Sequence, residues 1–218
     1  MNRRALVLRP QPGNAQTCAA LAAAGIEAVA MPLFAVAPSV WTPPDPAGYD
    51  ALLLTSANAV RHAGTALARF AHLPVVAVGA ATASAARKAG LTVAAVGGGN
   101  AAEAAAAAAG MGRLLHLAGR DRVAAAGLDA VTVYASEPLT LAPGRIDMAV
   151  GAVVLLHSAR AALRFVALSA GLPRDRIRIA ALSPAVARVT GEGWAALAVA
   201  MAPTDLELVG EAERLAID

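Results

Sequence analysis

Cysteine, lysine and aromatic residues are all scarce in this chain. The lone cysteine, Cys18, excludes an internal disulfide and any cysteine-built metal cluster, and it fits a reducing compartment. All but one of the 18 basic residues are arginines, the exception being Lys88, and 15 acidic residues hold the formal net charge to +3 although the isoelectric point is near 9.7. So small a basic excess, with only 3% aromatic residues available to stack on bases, argues against nucleic-acid binding. An anionic small molecule stays open. Also missing is any uncharged run of ~18 residues free of proline and glycine, so no membrane span is expected despite a mean hydropathy of +0.59. Met1-Asn2-Arg3-Arg4 passes straight into the strand-like Ala5-Leu6-Val7-Leu8 without an apolar signal region, which predicts a cytoplasmic protein. His62, His72, His116 and His157 have no metal-like spacing, and no G-x-S-x-G elbow surrounds a serine. Neither a metal site nor a hydrolytic triad is expected.

What is abundant is alanine, valine and leucine. Hydrophobic residues make up 58% of 218 residues, enough to build one large core or two small ones. Short apolar runs alternate with helix-like stretches, the pattern of α/β layers around parallel strands. The runs predict strands at 5–8, 51–55, 75–78, 92–96, 114–117, 130–134, 152–157, 178–182 and 196–200. Helices are expected at 14–24, 57–70, 101–109 and 159–170. Two proline-rich segments, 32–46 and 138–144, read as linkers.

The chain also repeats itself. Leu52-Leu53-Leu54-Thr55-Ser56-Ala57 matches Val154-Leu155-Leu156-His157-Ser158-Ala159, each an apolar strand ending in a serine that opens a helix. Val78-Gly79-Ala80-Ala81-Thr82-Ala83 matches Leu182-Ser183-Pro184-Ala185-Val186-Ala187, and the capping box Asn100-Ala101-Ala102-Glu103 matches Thr204-Asp205-Leu206-Glu207. Gly79 to Asn100 and Ser183 to Thr204 both span 21 positions. A duplicated βαβα unit follows. The expected fold is therefore α/β: two similar parallel-sheet domains joined by a two-stranded linker, a discontinuous terminal domain of 1–35 and 145–218 and an inserted domain of 36–144. Two lobes joined by two crossings predict a hinged cleft, a common place for ligands.

Helix starts at Ser56, Ser158, Asn100 and Thr204 carry free amides that suit carboxylate or phosphate oxygens, although each alone reads as an ordinary cap. Several around one cleft favour a polyanion. Gly97-Gly98-Gly99-Asn100-Ala101-Ala102 formally fits a dinucleotide fingerprint, but the next strand ends Leu117-Ala118-Gly119-Arg120 without the acidic residue that would hold a ribose. Tyr134 closes the strand Val131-Thr132-Val133-Tyr134 beside the second linker; it reads either as a packing residue or as a proton donor.

The order of these motifs resembles the uroporphyrinogen-III synthase family. Val7-Leu8-Arg9-Pro10 is similar to the family's Thr-Arg-Pro start, and Met31-Pro32-Leu33 to its exit into the first linker. Tyr49-Asp50-Ala51-Leu52-Leu53-Leu54-Thr55-Ser56-Ala57-Asn58-Ala59-Val60-Arg61 resembles its Asp-apolar-Thr-Ser-x-x-Ala-Val segment. Val78 to Ala83, Asn100 to Glu103, Leu115 to Arg120 and Val131 to Tyr134 follow in the family's order. Departures cluster in the second repeat: Ser183-Pro184-Ala185-Val186-Ala187 replaces Gly-Pro-Thr-Thr-Ala, Leu8 replaces a threonine, and His157 stands where threonine or phenylalanine is common.

The resemblance implies a cofactor-independent, metal-free lyase of tetrapyrrole biosynthesis. Its substrate is hydroxymethylbilane, an eight-carboxylate linear tetrapyrrole, supplied by hydroxymethylbilane synthase and cyclised with inversion of the last ring. It further implies a monomer, with Tyr134 as the acid. Arg9, Thr55, Ser56, Thr82, Asn100, Ala101, Gly119, Arg120 and Ser158 are the implied substrate contacts. A non-catalytic two-lobed binder of an anionic molecule and a nucleotide-dependent α/β enzyme are the alternatives.

Overall fold

A computed structural model describes residues 3–97, 108, 110–122 and 128–217. In chain order its strands are β1 (Ala5–Val7), β2 (Ala28–Ala30), β3 (Phe34–Pro38), β4 (Ala51–Leu54), β5 (Val75–Val78), β6 (Val93–Gly97), β7 (Leu114–Gly119), β8 (Asp129–Pro138), β9 (Val153–Leu156), β10 (Arg178–Ala181) and β11 (Ala196–Val199). The described α-helices are α1 (Gly13–Ala23), α2 (Ala57–His62), α3 (Ala80–Lys88), α4 (Ala159–Leu168), α5 (Pro184–Arg188) and α6 (Asp205–Ala216). None is long and apolar enough to cross a membrane.

The chain divides into two compact units, Met1–Ala35 with Pro138–Asp218 and Val36–Glu137. It passes from one to the other within β3 and again within β8. The first unit's sheet runs β11-β10-β9-β1-β2, and every pairing in it is parallel. Alternation along each strand sorts side chains to two faces. Leu6, Leu8, Val154, Leu156, Ile179 and Ala181 join Phe165 of α4 and Val186 of α5 in one core. Ala5, Val7, Val153, Leu155 and Ala180 join Leu21 of α1 and Leu208 and Ala212 of α6 in another. That double burial explains why the central strands read as unbroken apolar runs.

The second unit's sheet runs β3-β8-β7-β4-β5-β6, parallel from β8 to β6. Leu52, Leu54, Val75, Ala77, Leu115 and Leu117 pack against Ala59, Phe70, Ala83 and Ala86 from the helical side. Caps set the helix starts: the hydroxyls of Ser56, Ser158, Ser183 and Thr204 accept from the amides of Asn58, Ala161, Val186 and Glu207. Pro184 takes the first position of α5, where no amide is needed.

The structure corrects several expectations. Residues 32–46 are not simply a linker, because they contain β3. As an edge strand it tolerates Pro38, whose missing amide costs the sheet interior nothing. Residues 138–144 fall to the first unit: the Leu139 amide donates to Leu33, and Leu141 packs on that unit's core. β2 was unforeseen, its three small residues giving no alternation to read. The helix expected at 57–70 is α only to His62, then a 3-10 helix over Gly64–Phe70; Gly64 sits at φ 69°, outside the helical region. Of the helix expected at 101–109 only Ala108 is described, and the capping box at Asn100 lies outside the described residues.

Candidate active site

In the second unit the chain leaves β4 toward β5 and β6, and leaves β7 toward β8 on the opposite side. Strand order thus reverses between β4 and β7, and doubly wound sheets bind ligands beyond the carboxyl ends of the strands at such a point. Thr55 and Ser56 follow β4 directly, and Gly119 ends β7. Thr55 Oγ1 lies 3.0 Å from Nε2 of His116, which projects from β7 and is only 3% exposed. Burial, aided by the Arg122 charge, lowers the His116 pKa to about 4, so the ring is neutral at physiological pH.

That histidine makes the fold acid-sensitive. Its stabilising contribution is complete above the ordinary histidine pKa of ~6.5 and is lost as pH falls through the folded value, because the unfolded chain then binds the extra proton. Between pH 7 and 4.5 the expected loss is on the order of 1 to 3 kcal/mol. Urea unfolding at both pH values should show a smaller difference for His116→Gln; an equal difference would clear His116 of the effect.

Tyr134 stands on β8, beside the end of β7. The β7–β8 register shifts between Ala118 and Gly119, which brings Gly119 opposite Tyr134. The approach is close: a Cβ on Gly119 would lie 2.8 Å from the ring's Cζ and 3.0 Å from its hydroxyl oxygen. The Arg120 amide donates to the Tyr134 carbonyl at 2.9 Å, and the His62 ring lies 6.3 Å away, centroid to centroid. Tyr134 does not end its strand, since β8 continues to Pro138. The Arg120 side chain is committed to carboxylates, Glu137 at 2.7 Å and Asp121 at 3.9 Å. Arg122, which the sequence did not single out, donates to neutral acceptors instead, the Gly119 carbonyl at 3.2 Å and Thr132 Oγ1 at 2.7 Å.

The remaining expected contacts divide by backbone and side chain. The hydroxyls of Ser56 and Ser158 are spent on their own caps. Thr82 is buried in the first turn of α3, which begins after Gly79 at φ 78°. Asn100 and Ala101 lie outside the described residues.

In the first unit the reversal falls between β1 and β9. Arg9 follows β1, His157 follows β9, and both turn to one carboxylate, Asp205 in the first turn of α6. Arg9 Nη1 donates to it at 3.1 Å, the Thr17 hydroxyl at 2.9 Å and His157 Nε2 at 2.9 Å. Burial lowers the His157 pKa, outweighing the Asp205 hydrogen bond, so a neutral ring donates its Nε2 hydrogen. The buried Asn14 amide holds the Val7 and Arg9 carbonyls at 2.7 and 2.9 Å and shapes the turn. Gly13 leaves room for the arginine, since a Cβ there would come within 2.6 Å of three guanidinium atoms.

The family model described as uroporphyrinogen-III synthase HemD matches residues 15–210. The chain belongs to the uroporphyrinogen-III synthase family. The uroporphyrinogen-III synthetase of Helicobacter pylori has a similar fold, with TM-score 0.70 and 15% identity over 98% of this chain and 99% of that one. A mutant uroporphyrinogen III synthase of the extremely thermophilic bacterium Thermus thermophilus has TM-score 0.51 and 17% identity, covering 97% and 98%. No curated protein sequence gives a match.

Of the contacts expected for a uroporphyrinogen-III synthase, the structure gathers Thr55, Ser56, Gly119, Arg120 and Tyr134 around the β4–β7 reversal. Arg9 and Ser158 belong to the other unit, and Arg9 is tied to Asp205. Sequence reasoning missed Arg122, His116, Thr17 and Asp205. A search for metal spacing dismissed the histidines, and Asp205 was legible only as part of a capping box.

Proposed function

We propose that this family member closes linear hydroxymethylbilane to uroporphyrinogen III, with loss of water and inversion of the last pyrrole ring. The observation that carries this reading is the family match over residues 15–210. The binding-protein and nucleotide readings have no comparable support. On our reading Tyr134 donates a proton to the departing hydroxyl, which leaves as water and generates an N-protonated azafulvene, the azafulvenium cation. The last ring attacks this through a spiro intermediate. Gly119 keeps the Tyr134 hydroxyl at the strand ends, and the amides near Ser56, Thr82, Asn100, Ala101, Gly119 and Ser158 take substrate carboxylates. α2 has only six residues and a small dipole, and its Asn58 and Ala59 amides already bond the Ser56 hydroxyl and carbonyl, so its contribution narrows to the amide of Ala57. Arg122 adds a cation whose bonds to the described residues all go to neutral acceptors.

The chemistry needs geometric control more than a strong catalytic group, because closure without enzyme gives the non-inverted ring. Holding the reacting ends together contributes up to ~7 to 11 kcal/mol in favourable cases. We further read the chain as a cytoplasmic monomer fed by hydroxymethylbilane synthase; the single cysteine is in keeping with a reducing compartment. The test is to incubate the chain with enzymatically generated hydroxymethylbilane, oxidise, and separate the porphyrin isomers. Isomer III is expected, and the isomer I of an enzyme-free control would overturn the reading. Because amides do the binding, Ser56→Ala and Ser158→Ala should each raise KM by less than ~5-fold. Loss of binding in a folded variant would point to a side-chain-centred site.

A further inference from the structure

Three donors in the first unit surround a carboxylate that the chain itself supplies. Arg9, Thr17 and His157 come from the end of β1, from α1 and from the end of β9, and all three bond Asp205. Guanidinium, hydroxyl and imidazole N–H are the donor set of a carboxylate-binding site. Its position at the strand-order reversal is where a doubly wound sheet takes a ligand.

The internal repeat shows what is unusual here. Matching Ser158 to Ser56 sets His157 at the place of Thr55, and matching the capping boxes sets Asp205 at the place of Ala101. One copy therefore carries a methyl group where the other carries a carboxylate. Charge follows: the neutral His157 adds nothing, and Asp205 cancels Arg9, so the first unit's site offers a polyanion no net positive charge. Yet the site is open to solvent, the Arg9 and Asp205 side chains being 31% and 33% exposed.

We infer that Arg9, Thr17 and His157 form a carboxylate site whose resident occupant is Asp205, and that an external carboxylate must displace Asp205 to reach Arg9. In the resting chain Arg9 is thus held back from the substrate-binding role that its sequence motif implies. The inference rests on the proposed polycarboxylate substrate only for the identity of the competing ligand.

Asp205→Asn keeps an acceptor for all three donors and removes the charge. Fluorescence titration with uroporphyrin III, an octacarboxylate, should show Asp205→Asn binding ~3- to 30-fold more tightly than wild type, the range expected for one freed charge-assisted contact. Arg9→Gln alone should change affinity less than ~2-fold, and Arg9→Gln/Asp205→Asn should return to the wild-type value. An Asp205→Asn affinity equal to wild type, or a loss above ~10-fold in Arg9→Gln alone, would overturn the proposal. A second measurement needs no tetrapyrrole: propionate should raise the melting temperature of Asp205→Ala and leave wild type unmoved, whereas no rescue would count against the site. Propionate rescue in a chain that makes no uroporphyrinogen III would sink the proposed reaction and leave the site standing.

Discussion

Tyr134→Phe should slow turnover by ~10- to 1,000-fold and still yield uroporphyrinogen III, the range left when a general acid is deleted but the reactants stay positioned. The substitution removes one oxygen and keeps the ring, which packs at the margin of the second unit's core. Stability should therefore barely change, so a kinetic loss cannot be laid to unfolding. Timed quenching of the reaction, followed by isomer separation, reads rate and stereochemical outcome together. Isomer I appearing at the wild-type rate of substrate consumption would mean that Tyr134 places the last ring and donates nothing. Unchanged rate and isomer ratio would remove it from the mechanism.

Gly119→Ala tests the same hydroxyl from the opposite side. A methyl at Gly119 cannot coexist with the tyrosine side chain where it stands, because three of its atoms would lie within 3.0 Å. The ring must swing, and a displacement of about 1 Å in a positioned group can cost ~100-fold in rate. We expect kcat to fall ~10- to 100-fold with KM moved far less. The decisive comparison is the double variant. If Gly119→Ala acts through the phenol, adding it to Tyr134→Phe should cost less than ~3-fold more, whereas full multiplication of the two effects would give the glycine an independent role.

Strand spacing made most of the architecture legible. The runs around Leu52 to Leu54 and Val153 to Leu156 are buried on both faces, so apolarity alone announces them. Ala28 to Ala30 are too few and too small to announce anything, and Phe34 to Pro38 hid behind proline because an edge strand can carry it. At the site, Tyr134 and Gly119 stood in the sequence as separate motif ends; only a one-residue register shift makes them neighbours. Arg120 and Arg122 are alike as letters, and the difference between them is Glu137, which pairs with the first. Asp205 is the extreme case, its partners Arg9, Thr17 and His157 lying far off in sequence.

The place of β1 bears on how the chain is made. Ala5 pairs with Ala28 on one side and with Val153 on the other, so β1 closes one edge soon after it is made and keeps the other bare until β9 follows. The whole of Val36–Glu137 is translated in that interval and can fold first. An exposed parallel edge with fully apolar side chains attracts other strands, and long-range parallel pairing is slow to form. Nascent chains stalled before residue 153 should therefore be far more aggregation-prone than chains released a few dozen residues later. A circular permutant that begins near Pro138 and joins the present ends would place β9 and β1 in one continuous stretch of synthesis and remove the wait.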